Sequence, residues 1–252
     1  MSALARANAS KLIAEYMIEN PKQLDLIKLA NAEFLIVQEE DLDNAFGKIS
    51  YIDGLGSISI SKRIKEEGQK QFVMAHELGH YFNERNRPQT IYCEEKDFTS
   101  ISGREYAANV FAAELIMHEP WFLDFTKGKR LSSSLLSDIA DYFRTSLSSA
   151  AMRYAEIGPV PTAIIHTTNG VVTFSRCNKD FPYSFIEHVM KVNNNSYTSN
   201  FYNGEDIPKT AEEIPIEAWF WNDFNYKKDK FIMEQNIPLP NYNSCLTILW
   251  EC

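Results

Sequence analysis

Two histidines four residues apart, inside an apolar helical pattern, constrain this sequence most strongly. The segment runs Phe72-Val73-Met74-Ala75-His76-Glu77-Leu78-Gly79-His80. On an α-helix such a pair shares one face, with Cβ atoms about 6 Å apart, so both imidazoles can point at one ion. The apolar neighbours predict a buried helix, where two histidines and a glutamate are costly unless something pairs them. The pattern therefore favours a metal site over a chance pair of histidines on a surface helix.

Glu77 follows the first histidine directly, one step further round the same helix. This position suits a carboxylate that accepts a proton from water better than one that binds the metal. Zinc is the expected ion, because two imidazoles, one further ligand and an open position match its catalytic geometry. The motif supplies two ligands, so a third must come from elsewhere in the chain.

A second helical segment, residues 105–117, supplies candidates for that third ligand. The residues that share one of its faces are Glu105, Ala108, Asn109 and Ala112. Small residues there would let another helix approach closely, and Glu105 could then reach the metal. The other candidates are Glu114, His118 and Glu119. Glu105 also has a plain alternative role in a capping box that begins at Ser102, and the spacing leaves both roles open.

The two segments together resemble the ImmA/IrrE-type metallopeptidase family. Residues 75–80 are similar to the family's A-H-E-L-G-H segment, and residues 105–117 to its E-x-x-x-N-x-F-A-A-x-L-L-M-P segment. The resemblance covers most of residues 1–160. Matched position by position, it implies zinc ligands at His76, His80 and Glu105, and a general base at Glu77. The sequence departs from the family at His118, where the family has proline.

The resemblance also implies an activity. Members of the family are zinc endopeptidases that cleave a repressor or antitoxin-like DNA-binding protein, which activates genes of stress responses, phages or mobile elements. The resemblance therefore implies a protein substrate as the partner, a repressor or antitoxin with a helix-turn-helix. The alternatives are a non-catalytic zinc-containing regulatory or interaction protein and a DNA-binding regulator.

Charge and cysteine usage restrict the class of protein further. The 25 Lys and Arg against 34 Asp and Glu give a net charge of -9, which disfavours direct binding to nucleic acid or to an anionic membrane. The four cysteines include no C-x-x-C pair and predict reduced thiols. Without a secretory signal pattern or a long apolar run, the expected location is the cytoplasm. The oligomeric state cannot be predicted from these features.

We expect an α+β protein in three parts. Residues 1–130 are predicted to form a zincin-like metallopeptidase domain with helices and a β-hairpin, and residues 131–158 a pair of helices that resembles a helix-turn-helix. Residues 159–252 are predicted to form an α+β module for sensing or substrate docking, with an Asn-Gly hairpin near residue 169. In this module, residues 185–192 are predicted to be helical and residues 214–221 to form a strand.

Two further predictions concern the substrate. The strand Ser57–Ser61 is expected to lie at a sheet edge, where it could hold an extended peptide by β-addition. Three side chains are candidates for stabilising the transition state: Tyr81, Tyr106 and His118. Each has an ordinary structural alternative, as an aromatic core residue or as a histidine at a helix C-terminus.

Overall fold

The protein was analysed as a computed structural model that describes residues 2–84, 88–184, 186–187 and 189–251. It is an α+β protein, as predicted. The chain forms two compact units, one made of Met1–Phe122 with Ala140–Ser149 and the other of Leu123–Ile139 with Ala150–Cys252. The three-part division at residues 130 and 158 stays a prediction.

Helices and strands are numbered here in chain order. The helices are α1 (Ser2–Glu15), α2 (Leu26–Ala32), α3 (Glu67–Glu84), α4 (Gly103–Ile116), α5 (Glu119–Thr126), α6 (Ser133–Phe143), α7 (Leu147–Ile157), α8 (Thr198–Asn203) and α9 (Glu217–Phe220). The strands are β1 (Leu35–Glu40), β2 (Ala45–Ile52), β3 (Leu55–Ser61), β4 (Gln89–Glu94), β5 (Thr162–Thr168), β6 (Val171–Cys177), β7 (Glu212–Pro215), β8 (Phe231–Leu239) and β9 (Ser244–Trp250). Short 3₁₀ turns cover Pro21–Gln23, Glu95–Thr99 and Pro240–Tyr242.

The first unit contains a four-stranded sheet in the order β1-β3-β2-β4. Strand β3 pairs in parallel with β1 and antiparallel with β2, so both of its edges are hydrogen-bonded. The prediction of a substrate-binding edge at Ser57–Ser61 is therefore wrong. The sequence does not reveal this pairing, because β1 lies beside β3 as a parallel strand and is not joined to it by a hairpin. The edges of this sheet are β1 and β4.

Strand β2 alternates between buried and half-exposed positions along most of its length, as expected for a sheet with one covered face. Its buried residues include Gly47 and Ile49, which lie opposite Cys93 and Ile91 of β4. Helix α3 packs on this part of the sheet. The side chains of β2 and β4 that point inward are thereby directed at the helix that carries the two histidines.

Helices α3 and α4 approach each other closely at Gly79. A Cβ atom on Gly79 would lie 3.0 Å from both the Cα and the carbonyl oxygen of Ala108. Because these are backbone atoms, a larger side chain at either position would push the helices apart. This contact is the one that the small residues of α4 predicted, and it brings the first turn of α4 towards the histidines of α3.

The second unit contains an antiparallel five-stranded sheet in the order β6-β5-β9-β8-β7. The β5–β6 hairpin turns at Asn169 and Gly170, both with positive φ, as the Asn-Gly pair predicted. Two local predictions are wrong. Among residues 185–192, those that the structure describes are not helical, and the predicted strand at 214–221 ends at Pro215, after which α9 begins.

In the part of the chain that the structure describes, no helix is both long and apolar enough to cross a membrane.

Candidate metal centre

Helix α3 places His76 and His80 on one face, as their spacing predicted. Their Nε2 atoms lie 3.0 Å apart and both side chains are buried. The two rings stand nearly perpendicular, with centroids 4.7 Å apart. Two imidazole nitrogens therefore converge on one point beneath the sheet.

Glu105, in the first turn of α4, completes a triangle with these nitrogens. Its Oε2 atom lies 3.3 Å from Nε2 of His76 and 3.0 Å from Nε2 of His80. Its Oε1 atom accepts a hydrogen bond from Nε of Arg104 at 2.9 Å. Ser102, although it is the N-cap residue of α4, makes no side-chain capping hydrogen bond. The carboxylate of Glu105 is thus directed at the histidines rather than used in a capping box.

The other three candidates for a third ligand form a separate group. Glu114 pairs with Nη1 of Arg6 at 3.1 Å and with Nδ1 of His118 at 2.7 Å. The backbone N–H of Glu119 donates to Oε1 of Glu114 at 3.3 Å. None of these contacts involves His76 or His80.

The carboxylate of Glu77 is completely buried, and neither of its oxygens makes a hydrogen bond. It lies against Gly47 of β2, where a Cβ atom would overlap Oε1 of Glu77 and come within 2.9 Å of Val73 Cγ1. A buried carboxylate without a hydrogen-bonding partner is costly by a few kcal/mol. A carboxylate in this position, next to the triangle, would gain a hydrogen-bonding partner if a metal ion with a bound water were present.

The donor atoms fit a divalent metal, and zinc in particular. Zinc binds imidazole nitrogen and carboxylate oxygen at about 2.0–2.1 Å in a tetrahedral arrangement, which separates neighbouring donor atoms by about 3.3–3.4 Å. The three separations in the triangle are 3.0, 3.0 and 3.3 Å. Two imidazoles and one carboxylate are also the donor types that zinc enzymes use. The residues present therefore fit this ion.

Comparison with known proteins identifies one family and one similar fold. A sequence model of a peptidase family, Peptidase_M78 or IrrE N-terminal-like domain, matches residues 35–154. This domain belongs to the ImmA/IrrE-type family. A search of curated proteins gave no significant match. A solved structure with a similar fold is a Mycobacterium tuberculosis transcriptional regulator, with a TM-score of 0.57 and 11% sequence identity over 98% of this chain and 75% of that one.

Within this ImmA/IrrE-type domain, Asn109 orients one of the two imidazoles. Its Oδ1 atom lies 2.8 Å from Nδ1 of His76, and its Nδ2 atom donates to the carbonyl of Asp97 at 2.9 Å. Because the amide donates to Asp97, its oxygen faces His76 and accepts the Nδ1 proton. That leaves the lone pair of Nε2 for the triangle. Asn109 was noted from the sequence as part of the α4 face, but its role beside the histidine was not predicted.

An aromatic side chain covers the site next to His76. The ring centroid of Phe98 lies 4.6 Å from that of His76, and Phe98 also contacts Phe46 and Phe72. Apolar cover of this kind excludes water and strengthens electrostatic interactions within the site.

Cys93 is the fourth member of the donor group, and the sequence analysis missed it. Among the described residues, His76, His80, Cys93 and Glu105 form a group whose ligand atoms all lie within 4.8 Å of one another. Cys93 reaches the site from β4, for which the sequence analysis above predicts no strand. The signal was present in the alternation of residues 89–94, in which Ile91 and Cys93 are buried and their neighbours more exposed.

Burial and mutual charge shift the pKa values of the group. Burial raises the pKa of Glu77 to about 7. Burial also lowers the pKa of His76, which keeps its imidazole neutral at neutral pH. Burial opposes ionisation of Glu105, but its hydrogen bonds to His76 and His80 outweigh this and lower its pKa. For Cys93, burial and then the charge of Glu77 raise the pKa of the thiol.

The three candidates for transition-state stabilisation stay predictions. Tyr81 is buried, with its ring edge-on to Tyr51 at 5.5 Å. His118 is paired with Glu114. Tyr106 follows Glu105 in the first turn of α4 and is half-buried.

Proposed function

We propose that this protein is a zinc-dependent endopeptidase with a zincin-like catalytic domain. His76, His80 and Glu105 would hold the zinc ion, and Glu77 would be the general base. One observation carries the proposal. The three donor atoms converge at 3.0–3.3 Å beside a buried carboxylate that makes no hydrogen bond.

Zinc bound at such a site acts as a Lewis acid that polarises a peptide carbonyl and makes water acidic enough to react at neutral pH. Glu77 would take a proton from the attacking water on one of its oxygens and later pass it to the leaving amine. Asn109 would hold the His76 ring in place, and Phe98 would exclude bulk water. The proposal involves no covalent intermediate with the protein.

The substrate would add to β4 rather than to β3. Among the described residues, β4 pairs with β2 alone and has its other edge free. It also carries Cys93, whose sulfur lies 3.5 Å from His80 Nε2. An extended peptide that hydrogen-bonds along this edge would pass beside the donor group, which favours cleavage within a chain over cleavage at an end.

The proposed target is a repressor or antitoxin-like protein with a helix-turn-helix, and its cleavage would activate gene expression. Family membership supports this proposal. Direct DNA binding is disfavoured by the net charge of -9 and by the burial of Arg153, the cation on α7. Arg153 is buried, with its Nη1 atom 2.9 Å from Oε2 of Glu156. The structural neighbour is called a transcriptional regulator, but at 11% identity the likeness concerns the fold alone.

One observation favours a second candidate, a non-catalytic zinc protein. Structural zinc sites are closed by four protein ligands, and Cys93 offers a fourth donor here. The buried Glu77 argues for the enzyme, since a closed structural site needs no base.

The test uses the whole chain and candidate helix-turn-helix proteins encoded nearby. Wild type and Glu77→Gln are each loaded with zinc, incubated with these proteins, and analysed for a single cut by mass spectrometry. We expect cleavage by the wild type, loss of cleavage with chelator, and no cleavage by a Glu77→Gln variant that still binds zinc. Cleavage that survives Glu77→Gln would refute the role of Glu77. A zinc-loaded wild type that cuts none of the candidates nor unfolded generic peptides would favour the non-catalytic alternative.

A further inference from the structure

The sulfur of Cys93 lies in contact with two of the proposed zinc ligands. Its sulfur is 3.5 Å from Nε2 of His80 and 3.9 Å from Oε2 of Glu105. These are the two ligand atoms that also approach each other to 3.0 Å. The thiol therefore faces the point on which the triangle of donors converges.

The sheet fixes this position. Cys93 pairs with Gly47 across β2 and β4, so its side chain points to the same side on which Gly47 makes room for Glu77. Its neighbours Tyr92 and Glu94 point outward and are exposed, whereas Cys93 is completely buried. The strand thus delivers the sulfur from the side of the sheet, opposite the helices that supply the other donors.

The distance from Cys93 to His80 matches that of a sulfur ligand, and the 3.9 Å to Glu105 is longer by a few tenths of an ångström. With a zinc–sulfur bond of about 2.3 Å and a zinc–nitrogen bond of about 2.0–2.1 Å, a tetrahedral site separates sulfur from nitrogen by about 3.5–3.6 Å. The observed separation between Cys93 and His80 is 3.5 Å.

The carboxylate of Glu77 lies beside the same point. Both of its oxygens are buried, neither has a hydrogen bond of ordinary geometry, and the thiol of Cys93 is close enough to interact with them. Glu77 and Cys93 therefore place a carboxylate and a thiol next to the triangle of donors.

We propose that Cys93 is a fourth protein ligand that closes the metal site in a resting state of the enzyme. The thiol releases its proton to solvent as the sulfur–metal bond forms. Substrate or water must then displace the sulfur, which takes up a proton again, before Glu77 can act. This inference rests on the metal site of the proposed function and adds a latch that slows the peptidase, because only the molecules whose sulfur is displaced can react.

The first test detects sulfur ligation without any substrate. X-ray absorption of the zinc-loaded wild type should show one sulfur at about 2.3 Å among nitrogen and oxygen ligands. Replacement of zinc by Co²⁺ should give a thiolate-to-cobalt charge-transfer band in the near ultraviolet. The band should disappear in Cys93→Ser and persist in Cys245→Ser, which changes another buried strand cysteine far along the sequence. A wild type without the sulfur signal, or a band that persists in Cys93→Ser, would overturn the proposal.

The second test measures the latch. Loss of a sulfur ligand should weaken zinc binding by roughly 10- to 100-fold, the range seen when groups that support a metal site are removed. At saturating zinc, Cys93→Ser should cleave an unfolded reporter peptide at least severalfold faster than the wild type. Equal rates would refute the latch. If no variant cleaves anything while the sulfur signal is present, the peptidase proposal fails and the four-ligand site stands.

The X-ray absorption measurement needs no variant, so a Cys93→Ser protein that failed to fold would leave the ligation test intact. Cys93→Ala would then provide the activity comparison, because it removes the sulfur without placing a hydroxyl in the buried site.

Discussion

Gly47 of β2 lies directly against the carboxylate of Glu77, so that a Cβ atom at position 47 would overlap Oε1 of the glutamate. The absence of a side chain in the strand is what lets the carboxylate lie flat between the helix and the sheet. Gly47 is thus a positioning residue for the proposed general base, although it contacts no substrate itself.

Gly47→Ala should displace the Glu77 carboxylate and reduce peptidase activity by roughly 100-fold, the cost of a misplacement of about 1 Å in an active site. The variant should bind zinc with unchanged stoichiometry, since the proposed ligands come from α3, α4 and β4 and none comes from β2. Rates on a reporter peptide and zinc content by metal analysis measure the two effects.

The matched control for this substitution is Gly54→Ala, in the turn between β2 and β3. Nothing lies within 4 Å of a Cβ atom there, but its φ of +81° makes the change cost roughly 1–2 kcal/mol. A loss of activity as large in Gly54→Ala as in Gly47→Ala would attribute the effect to general destabilisation and contradict the positioning role.

The sequence predicted the histidine pair and the approach of Glu105, because helical periodicity is a local property. Four residues place His76 and His80 on one face, and small residues such as Ala108 mark a close helix contact. The first feature depends only on the geometry of one helix. The second depends on the packing of two helices, and the residues that face each other can be identified from helical spacing.

The contribution of the sheet could not be predicted in the same way. Whether β3 is an edge strand depends on where β1 returns, and the role of Gly47 depends on its register with Cys93. Strand order and register are set by contacts between distant segments. The sheet side of the site, Gly47 and Cys93, was missed for that reason.

In the second unit, tertiary contacts outweighed local pattern. Residues 214–221 were predicted to form a strand, yet Trp219 lies in α9 and donates its indole N–H to the buried Glu234 at 2.8 Å. A buried indole N–H needs a hydrogen-bond acceptor, and the helical backbone of α9 is the conformation in which Trp219 reaches Glu234.

Asn109→Ala should weaken zinc binding by roughly 10- to 100-fold, because it removes the hydrogen bond that fixes the tautomer and ring orientation of His76. Competition with a chelating dye measures the affinity. Asn83→Ala is the control, since Asn83 lies on α3 and accepts a hydrogen bond from Asn8 at 2.9 Å. Equal loss of affinity in the two variants would show that Asn109 acts only through stability.

Glu105→Gln should abolish stoichiometric zinc binding at low micromolar metal, because a neutral amide is a much weaker ligand than a carboxylate of similar shape. Glu119→Gln, which changes another of the candidate ligands, should leave zinc content unchanged. Metal analysis after gel filtration gives the result for both proteins. The assignment of the third ligand would be wrong if zinc were lost from the Glu119→Gln variant and kept by Glu105→Gln.

Glu234 makes the stability of the second unit depend on pH. Its carboxylate is buried and accepts hydrogen bonds from Trp219, Ser196 and Asn236, but burial outweighs these and raises its pKa above the ordinary value near 4.5. Above that value the folded protein holds a proton that the unfolded chain releases. The free energy of unfolding should therefore fall as pH rises from about 4.5 through the raised pKa.

Glu234→Gln removes this titration. Its amide would face the donating amide of Asn236, so we expect the variant to be less stable at acid pH by about 1–3 kcal/mol. The decisive quantity is the slope of the free energy of unfolding against pH. Between acid and neutral pH this free energy should fall less in the variant than in the wild type. Thermal unfolding across that range measures both proteins, with Glu213→Gln as the control at an exposed position of β7. Parallel curves for wild type and Glu234→Gln would show that Glu234 holds the same charge in the folded and unfolded states, because only a difference in proton binding can change the slope.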